Sequence, residues 1–202
     1  MLFRSIWYQN GYAHREDGPA LVRPDGLKIW YVDGRKHRIG APAVIHSNGS
    51  REWYRDGDYH RLDGPAIEMS CGDRMWYING KRHRLDGPAV HNENGHQECW
   101  VDGLKHRLDG PAVIRNDGAM EWWVNNNLHR LDGPAIIYAN GTRDWWVEGQ
   151  RHREGGPAIE SAIGINEWWV EGQRHREDGP AIERLDGHSE WWVYGILKKI
   201  ED

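Results

Sequence analysis

The sequence predicts an all-β fold: an elongated repeat solenoid of stacked antiparallel β-hairpins, 23 residues per unit, with eight full units and a partial ninth. Three observations predict it. The dipeptide His-Arg starts at His14, His37, His60, His83, His106, His129, His152 and His175, always 23 residues apart, and such self-similarity marks a repeat architecture. All 13 Trp fall in two adjacent columns of that repeat, seven and six residues before the His. The 25 Gly punctuate it, chiefly three residues before the His and twelve after. Gly and Pro are too frequent for a helix of ordinary length, and the residues between them are aromatic and β-branched, which suits strands.

Each element follows from the consensus W-[WY]-V-[DNE]-G-x-x-H-R-L-D-G-P-A-[IV]-x-x-x-[ND]-G-x-x-E. The pairs Asp33-Gly34, Asp56-Gly57 and Asn79-Gly80 in one column, and Asn48-Gly49, Asn94-Gly95 and Asp117-Gly118 in the other, are hairpin-turn dipeptides. Asn126 replaces Gly once, and Asn is the non-Gly residue that best tolerates the left-handed region. One strand runs from Ala through Ile or Val and another carries Trp-Trp/Tyr-Val. The Asn-Gly turn joins them, and His-Arg-x-Asp-Gly-Pro passes to the next unit. At a strand period of two, the first Trp column and the following Val share one face. The second column is expected on the opposite, half-exposed face beside Glu52, Glu98, Glu121, Glu167 and Glu190. Two strands at about 4.8 Å each give roughly 10 Å per unit. Residues 1–202 read as a single repeat domain in which each unit contacts only its neighbours.

Composition excludes several classes. The net charge of −5 argues against nucleic acid as a partner. No apolar run approaches 18 residues, so no transmembrane helix is expected, and the N-terminal segment does not resemble a secretory signal. Two cysteines cannot form a disulfide framework, which points to a reducing, cytoplasmic compartment.

The segment W-x-[ND]-G-x-x-H, seen from Trp123 to His129 and, with Glu at the turn, from Trp146 to His152 and Trp169 to His175, resembles the MORN repeat family. Tyr31 to His37 shows it with Tyr in place of Trp. The resemblance covers essentially the whole chain. It departs after the His, where the family has His-Gly-x-Gly and this chain has His-Arg-x-Asp-Gly-Pro-Ala, so the class is MORN-like and divergent. The resemblance implies single-layer stacks of β-hairpins and a scaffold or binding module rather than an enzyme. Its partners would be proteins or, in some members, acidic lipids. Related repeats in bacterial antitoxin-like and viral proteins imply a possible role in blocking or triggering a host factor.

No catalytic residues and no cofactor are expected. The His-Arg-x-Asp set recurs without a co-repeating nucleophile, so it reads as architecture, with the Asp satisfying its turn and pairing with Arg or His. Gly40 and Gly155 replace that Asp in two copies. No metal site is expected either, because His residues on successive units would stand about 10 Å apart, too far to share a zinc. Cys99 merely occupies a Trp position. The candidate binding residues are the second aromatic column, Tyr31, Tyr54, Tyr77, Trp100, Trp123, Trp146 and Trp169, whose flat rings suit interface contacts. The adjoining Glu column makes that face acidic and disfavours phosphoinositide head groups. Another protein is thus the expected partner. The alternatives are a small-molecule or glycan binder using aromatic pockets between repeats, and a structural subunit that self-associates through the terminal edge strand near Trp191–Val193.

Overall fold

A computed structural model describes residues 5–202, which contain no helix. The fold is all-β, built from short antiparallel strands in repeated hairpins. The chain packs as two compact units, Met1–Leu104 and Lys105–Asp202.

Every 23-residue repeat makes two hairpins rather than one. In the unit up to Leu104, Leu21–Val22, Lys28–Ile29, Val44–Ile45, Arg51–Glu52, Ile67–Glu68, Arg74–Met75, Val90–His91 and Gln97–Glu98 pair successively into one antiparallel ladder that starts at Ser5–Ile6. The second unit builds the same kind of ladder from Val113–Ile114 to Ile196–Glu201. Its turns are the later Gly column. At Asn48-Gly49 the Gly49 N–H donates to the His46 carbonyl at 3.0 Å, Gly49 takes φ 89°, and Asn48 Oδ1 accepts from the Ser50 N–H at 3.0 Å. That bond is why Asn or Asp precedes this Gly.

The earlier Gly column closes the second hairpin, in which Tyr54–Arg55 pairs with Asp58–Tyr59. Both turn residues have positive φ, 53° at Asp56 and 96° at Gly57, which is the type I′ turn that matches strand twist. Asn125 and Asn126 hold the same turn at 49° and 67° without any Gly.

The expected continuous Trp-Trp/Tyr-Val strand is therefore divided at the first Trp. The Trp53 N–H donates to the Ala66 carbonyl of the next repeat at 2.8 Å, and the Trp53 carbonyl accepts from the His60 N–H at 3.1 Å. The chain crosses at that residue from the long ladder into the small hairpin. The small hairpins are stitched in series too: Arg38 N–H donates to the Tyr54 carbonyl at 3.2 Å and Gly57 N–H to the Lys36 carbonyl at 2.9 Å.

The core lies on the side of the ladder that faces these hairpins. Ala20, Ala43, Ala66, Ala89, Ala135, Ala158 and Ala181 are fully buried. In the first unit Leu21, Ile29, Val44 and Tyr54 form one buried cluster, with Tyr31 and Tyr59 packed against it. Tyr54 of the second aromatic column, with Tyr31 packed against it, thus shares the core with the residue after Ala, while the other named members of the column are half-buried. The last repeat differs as well. Ile196–Glu201 pairs along Ser189–Val193, so the chain's own tail covers the edge expected at Trp191–Val193, and all six tail residues are exposed.

Candidate functional site

The His-Arg-x-Asp-Gly-Pro segment folds into an arginine clip. In the third copy, the Arg61 guanidinium lies over the Trp53 ring at 4.0 Å. Its Nε donates to Asp63 at 2.9 Å, and its Nη1 donates to the Pro65 carbonyl at 3.1 Å and to Glu68 at 2.9 Å. Gly64 completes the sandwich: a Cβ there would stand 2.9 Å from Arg61 Cζ. The same close approach holds at Gly18, Gly133, Gly156 and Gly179. Spacing thus encodes one object: Trp beneath, Gly above, and Asp and the Pro carbonyl in the guanidinium plane.

The His before each Arg is a turn support. His37 Nδ1 accepts from the Asp56 N–H at 3.1 Å, and the bond recurs between His60 and Asn79, His83 and Asp102, and His152 and Glu171. It satisfies the N–H of the first left-handed turn residue of the next repeat. Side chains at that position vary from Asp to Glu and Tyr194, so the backbone bond is the common element. Among the described residues no group of His, Cys, Asp and Glu is arranged to hold a metal ion. Cys71 is exposed and Cys99 is buried. No helix of the described residues is long and apolar enough to cross a membrane.

The residues singled out from sequence are half-buried or buried. Tyr54 is buried, and Tyr31, Tyr77, Trp100, Trp123, Trp146 and Trp169 are half-buried. Cations cover the rings: Lys36 over Tyr54 at 4.4 Å, Lys105 over Trp123 at 5.0 Å and Arg151 over Trp146 at 4.9 Å. Their polar atoms bond within the chain. Tyr54 Oη donates to Glu52 at 2.9 Å, and the indole N–H groups of Trp100, Trp123 and Trp169 donate to Glu98, Glu121 and Glu167. Trp146 breaks the pattern. The residue two before it is Asp144, one methylene shorter than Glu, and the buried Trp146 Nε1 makes no hydrogen bond of ordinary geometry to it. Burial pushes the Asp144 carboxyl above its usual range, against the pull of Arg151 and of the nearby Trp146 indole N–H.

The open surface is on the clip loops, which sequence reasoning passed over. The x of His-Arg-x-Asp points outward. It is Ile39, Leu62 and Leu85 in the first unit, 85%, 76% and 79% exposed, and Leu108 and Leu131 in the second, 78% and 80% exposed. The remaining copies carry Glu16, Glu154 and Glu177 there. Between successive loops lie open clefts. One of about 510 Å³ separates the Leu62 and Leu85 loops over a floor of Trp76, Ile78 and His83. One of about 600 Å³ separates the Leu108 and Leu131 loops over Trp122, Val124 and His129. The clip Asp residues line the rims, and the Arg hydrogen bond holds Asp63, Asp86, Asp109 and Asp132 below the usual carboxylate range. The available signal was an apolar residue set between Arg and Asp in a turn, where solvent exposure favours polarity.

No protein-family model matches the chain, and no curated protein matches it.

Proposed function

We propose that this chain is a non-enzymatic, MORN-like binding module that grips an extended segment of another protein along its clip loops. The observation that carries the reading is the exposed apolar row, Ile39, Leu62 and Leu85 in one unit and Leu108 and Leu131 in the other. Leucine that is four-fifths exposed at a fixed repeat position, with a Trp-floored cleft beside it, is a recurring exposed apolar surface of the kind that marks an interaction site. The inward-facing aromatic column serves as the scaffold beneath it.

Geometry selects the conformation of the segment. Each repeat adds two strands, or about 9.6 Å at ordinary strand spacing. A polyproline II segment advances about 9.3 Å in three residues and presents the same face every third residue. A β-strand repeats its face in about 6.7 Å and falls out of step. Carboxylates rim every cleft, so the segment carries Lys or Arg between its apolar contacts. Aromatic-floored grooves suit such preformed, low-entropy ligands. The MORN-like resemblance supports the same class, and a sequence with only two cysteines supports a reducing, cytoplasmic setting. The host-factor role rests on the resemblance alone.

A labelled twelve-residue peptide repeating Leu-Pro-Lys tests this by fluorescence anisotropy, against a scrambled peptide of equal composition. The periodic peptide should bind, and Leu62→Glu with Leu85→Glu should weaken it at least tenfold. Glu occupies that column in three other copies, so folding tolerates the change. Equal binding of both peptides, or indifference to the Glu variants, sinks the reading. The exposed edge strand Ile196–Glu201 favours end-to-end association as a second reading. A strict monomer in sedimentation at high concentration dismisses it.

A further inference from the structure

One clip differs from the others in charge. Arg15, Arg61, Arg84, Arg107, Arg130 and Arg176 each donate Nε to their own Asp at 2.7–2.9 Å. Arg153 has Gly155 at that position but donates Nη1 to Glu160 instead. Arg38 has Gly40 in place of Asp and Ile45 in place of that Glu. Among the described residues it has no carboxylate partner. Its Nη1 donates to the Pro42 carbonyl at 3.1 Å and its face lies 3.9 Å over Trp30. The guanidinium is therefore held in the clip's orientation while the edge that elsewhere meets a carboxylate stays open. Desolvation by the surrounding groups, with no opposing charge, lowers the Arg38 pKa.

Arg38 and Gly40 line a cleft of about 350 Å³ that also reaches Trp53, Tyr54, Arg55, His60, Arg61 and Asp63. Arg61 is already paired with Asp63 and Glu68, and Arg55 lies 3.9 Å from Asp56. Arg38 is the one Arg of the cleft without a counter-charge among the described residues. The sibling clips show which group fits: a carboxylate oxygen on Nε, at charge-assisted hydrogen-bond distance.

We propose that Arg38 is a carboxylate-binding site, in which an acidic side chain or a free C-terminal carboxylate of a ligand takes the place that Asp holds in the sibling clips. In a partner segment lying along the clip loops, such a residue would fix the register, which apolar contacts repeated at equal spacing leave open. The site itself does not depend on that segment.

The test follows the Arg38 Nε–H resonance by NMR during titration with three blocked amino acids. N-acetylglutamate amide models the side chain, N-acetylglycine the chain terminus, and N-acetylglutamine amide is the neutral control. We expect a saturable shift at Arg38 with one or both carboxylates, none with the amide, and none at Arg61, whose position is filled. Which carboxylate binds tells side chain from terminus. The double variant Gly40→Asp with Ala41→Gly rebuilds the Arg-x-Asp-Gly-Pro sequence and should weaken binding at least tenfold by supplying an internal carboxylate. Arg38→Lys, which keeps charge but loses the fork, is followed through the Gly40 backbone amide in parallel with the wild type, should weaken binding similarly and decides the matter if the double variant does not fold. No shift, equal shifts with carboxylate and amide, or undiminished binding in the variants overturns the proposal. Failure of the Leu-Pro-Lys peptide leaves it standing, because the probes differ.

Discussion

Replacing Gly64 with Ala should destabilise the protein, and the sign should reverse once Arg61 is removed. Gly64 has an ordinary backbone conformation, so Ala is sterically allowed in isolation and would stabilise by about 0.4–1 kcal/mol through the unfolded chain. Its Cβ, however, would stand 2.9 Å from Arg61 Cζ and 3.1 Å from Nε and Nη2. Arg61 cannot swing aside freely, since Trp53, Pro65 and Glu68 hold it from other directions. The Asp63 carboxylate is 84% exposed, so that arm is screened and contributes little. The stack is worth about 1 kcal/mol, and the bonds to Pro65 and Glu68 about 1 kcal/mol each. Displacing the guanidinium by a few tenths of an ångström forfeits roughly half of this, about 1.5 kcal/mol in a term with a two-fold spread. The net expectation is about 1 kcal/mol of destabilisation in the wild-type background. With Arg61→Ala, the same Gly64→Ala change should stabilise by about 0.5 kcal/mol. Urea unfolding followed by tryptophan fluorescence and circular dichroism, compared at constant slope, measures the cycle. Equal destabilisation in both backgrounds would refute the clip, because the Cβ would then be striking something other than the guanidinium.

Asp144→Glu should raise stability by up to about 1 kcal/mol by bringing a carboxylate into full hydrogen-bond reach of the Trp146 indole N–H, as Glu121 does for Trp123; a lowered urea midpoint would mean the extra methylene does not fit. The clip Asp residues, held below their unfolded range by Arg, contribute stability above that range and lose it as pH falls through their folded pKa values. Asn substitution at Asp63 and Asp86 should accordingly flatten the acid limb of a stability–pH curve below about pH 4, and an unchanged limb counts against the pairing. Asp144, raised by burial, works in the opposite sense and gains as pH falls through its own pKa. Removing residues 196–202 should uncover the Ser189–Val193 edge and promote association, read as concentration-dependent sedimentation; a truncated chain that stays monomeric would show that the edge is harmless.

The period, both turn columns and the strand class were legible because each depends on local chemistry. Asn-Gly and Asp-Gly declare a turn wherever they stand. The division at Trp53 was not legible. Tyr54 and Glu52 keep the alternation of one continuous strand, while only the partners of the Trp53 backbone show the change of ladder. Two turn columns stand in each 23-residue period, but beside an apparently continuous Trp strand they read as one hairpin and a connection. The inward position of Tyr54 had the same cause, since period-two alternation ranks faces but does not say which one a second layer will cover. The architectural reading of Arg and Asp agrees with the clip, and the role of Gly64 emerges only from the 2.9 Å approach. The outward Leu62 and Leu85 were hidden by their type, because apolar residues are ordinarily assigned to cores.

The stitches between small hairpins bear on how such a chain changes length. Arg38 N–H bonds a residue sixteen further on, and Gly57 N–H one twenty-one back. The same offsets join Arg61 to Tyr77 and Gly80 to Tyr59. A loss or gain of any 23 consecutive residues inside a run of full repeats, wherever the cut falls, restores every offset and every turn. The array can therefore be shortened or lengthened one tooth at a time by misaligned recombination without selecting a permitted breakpoint. Each event adds or removes one apolar tip and one cleft while the remaining clips keep their own Trp, Asp and Gly.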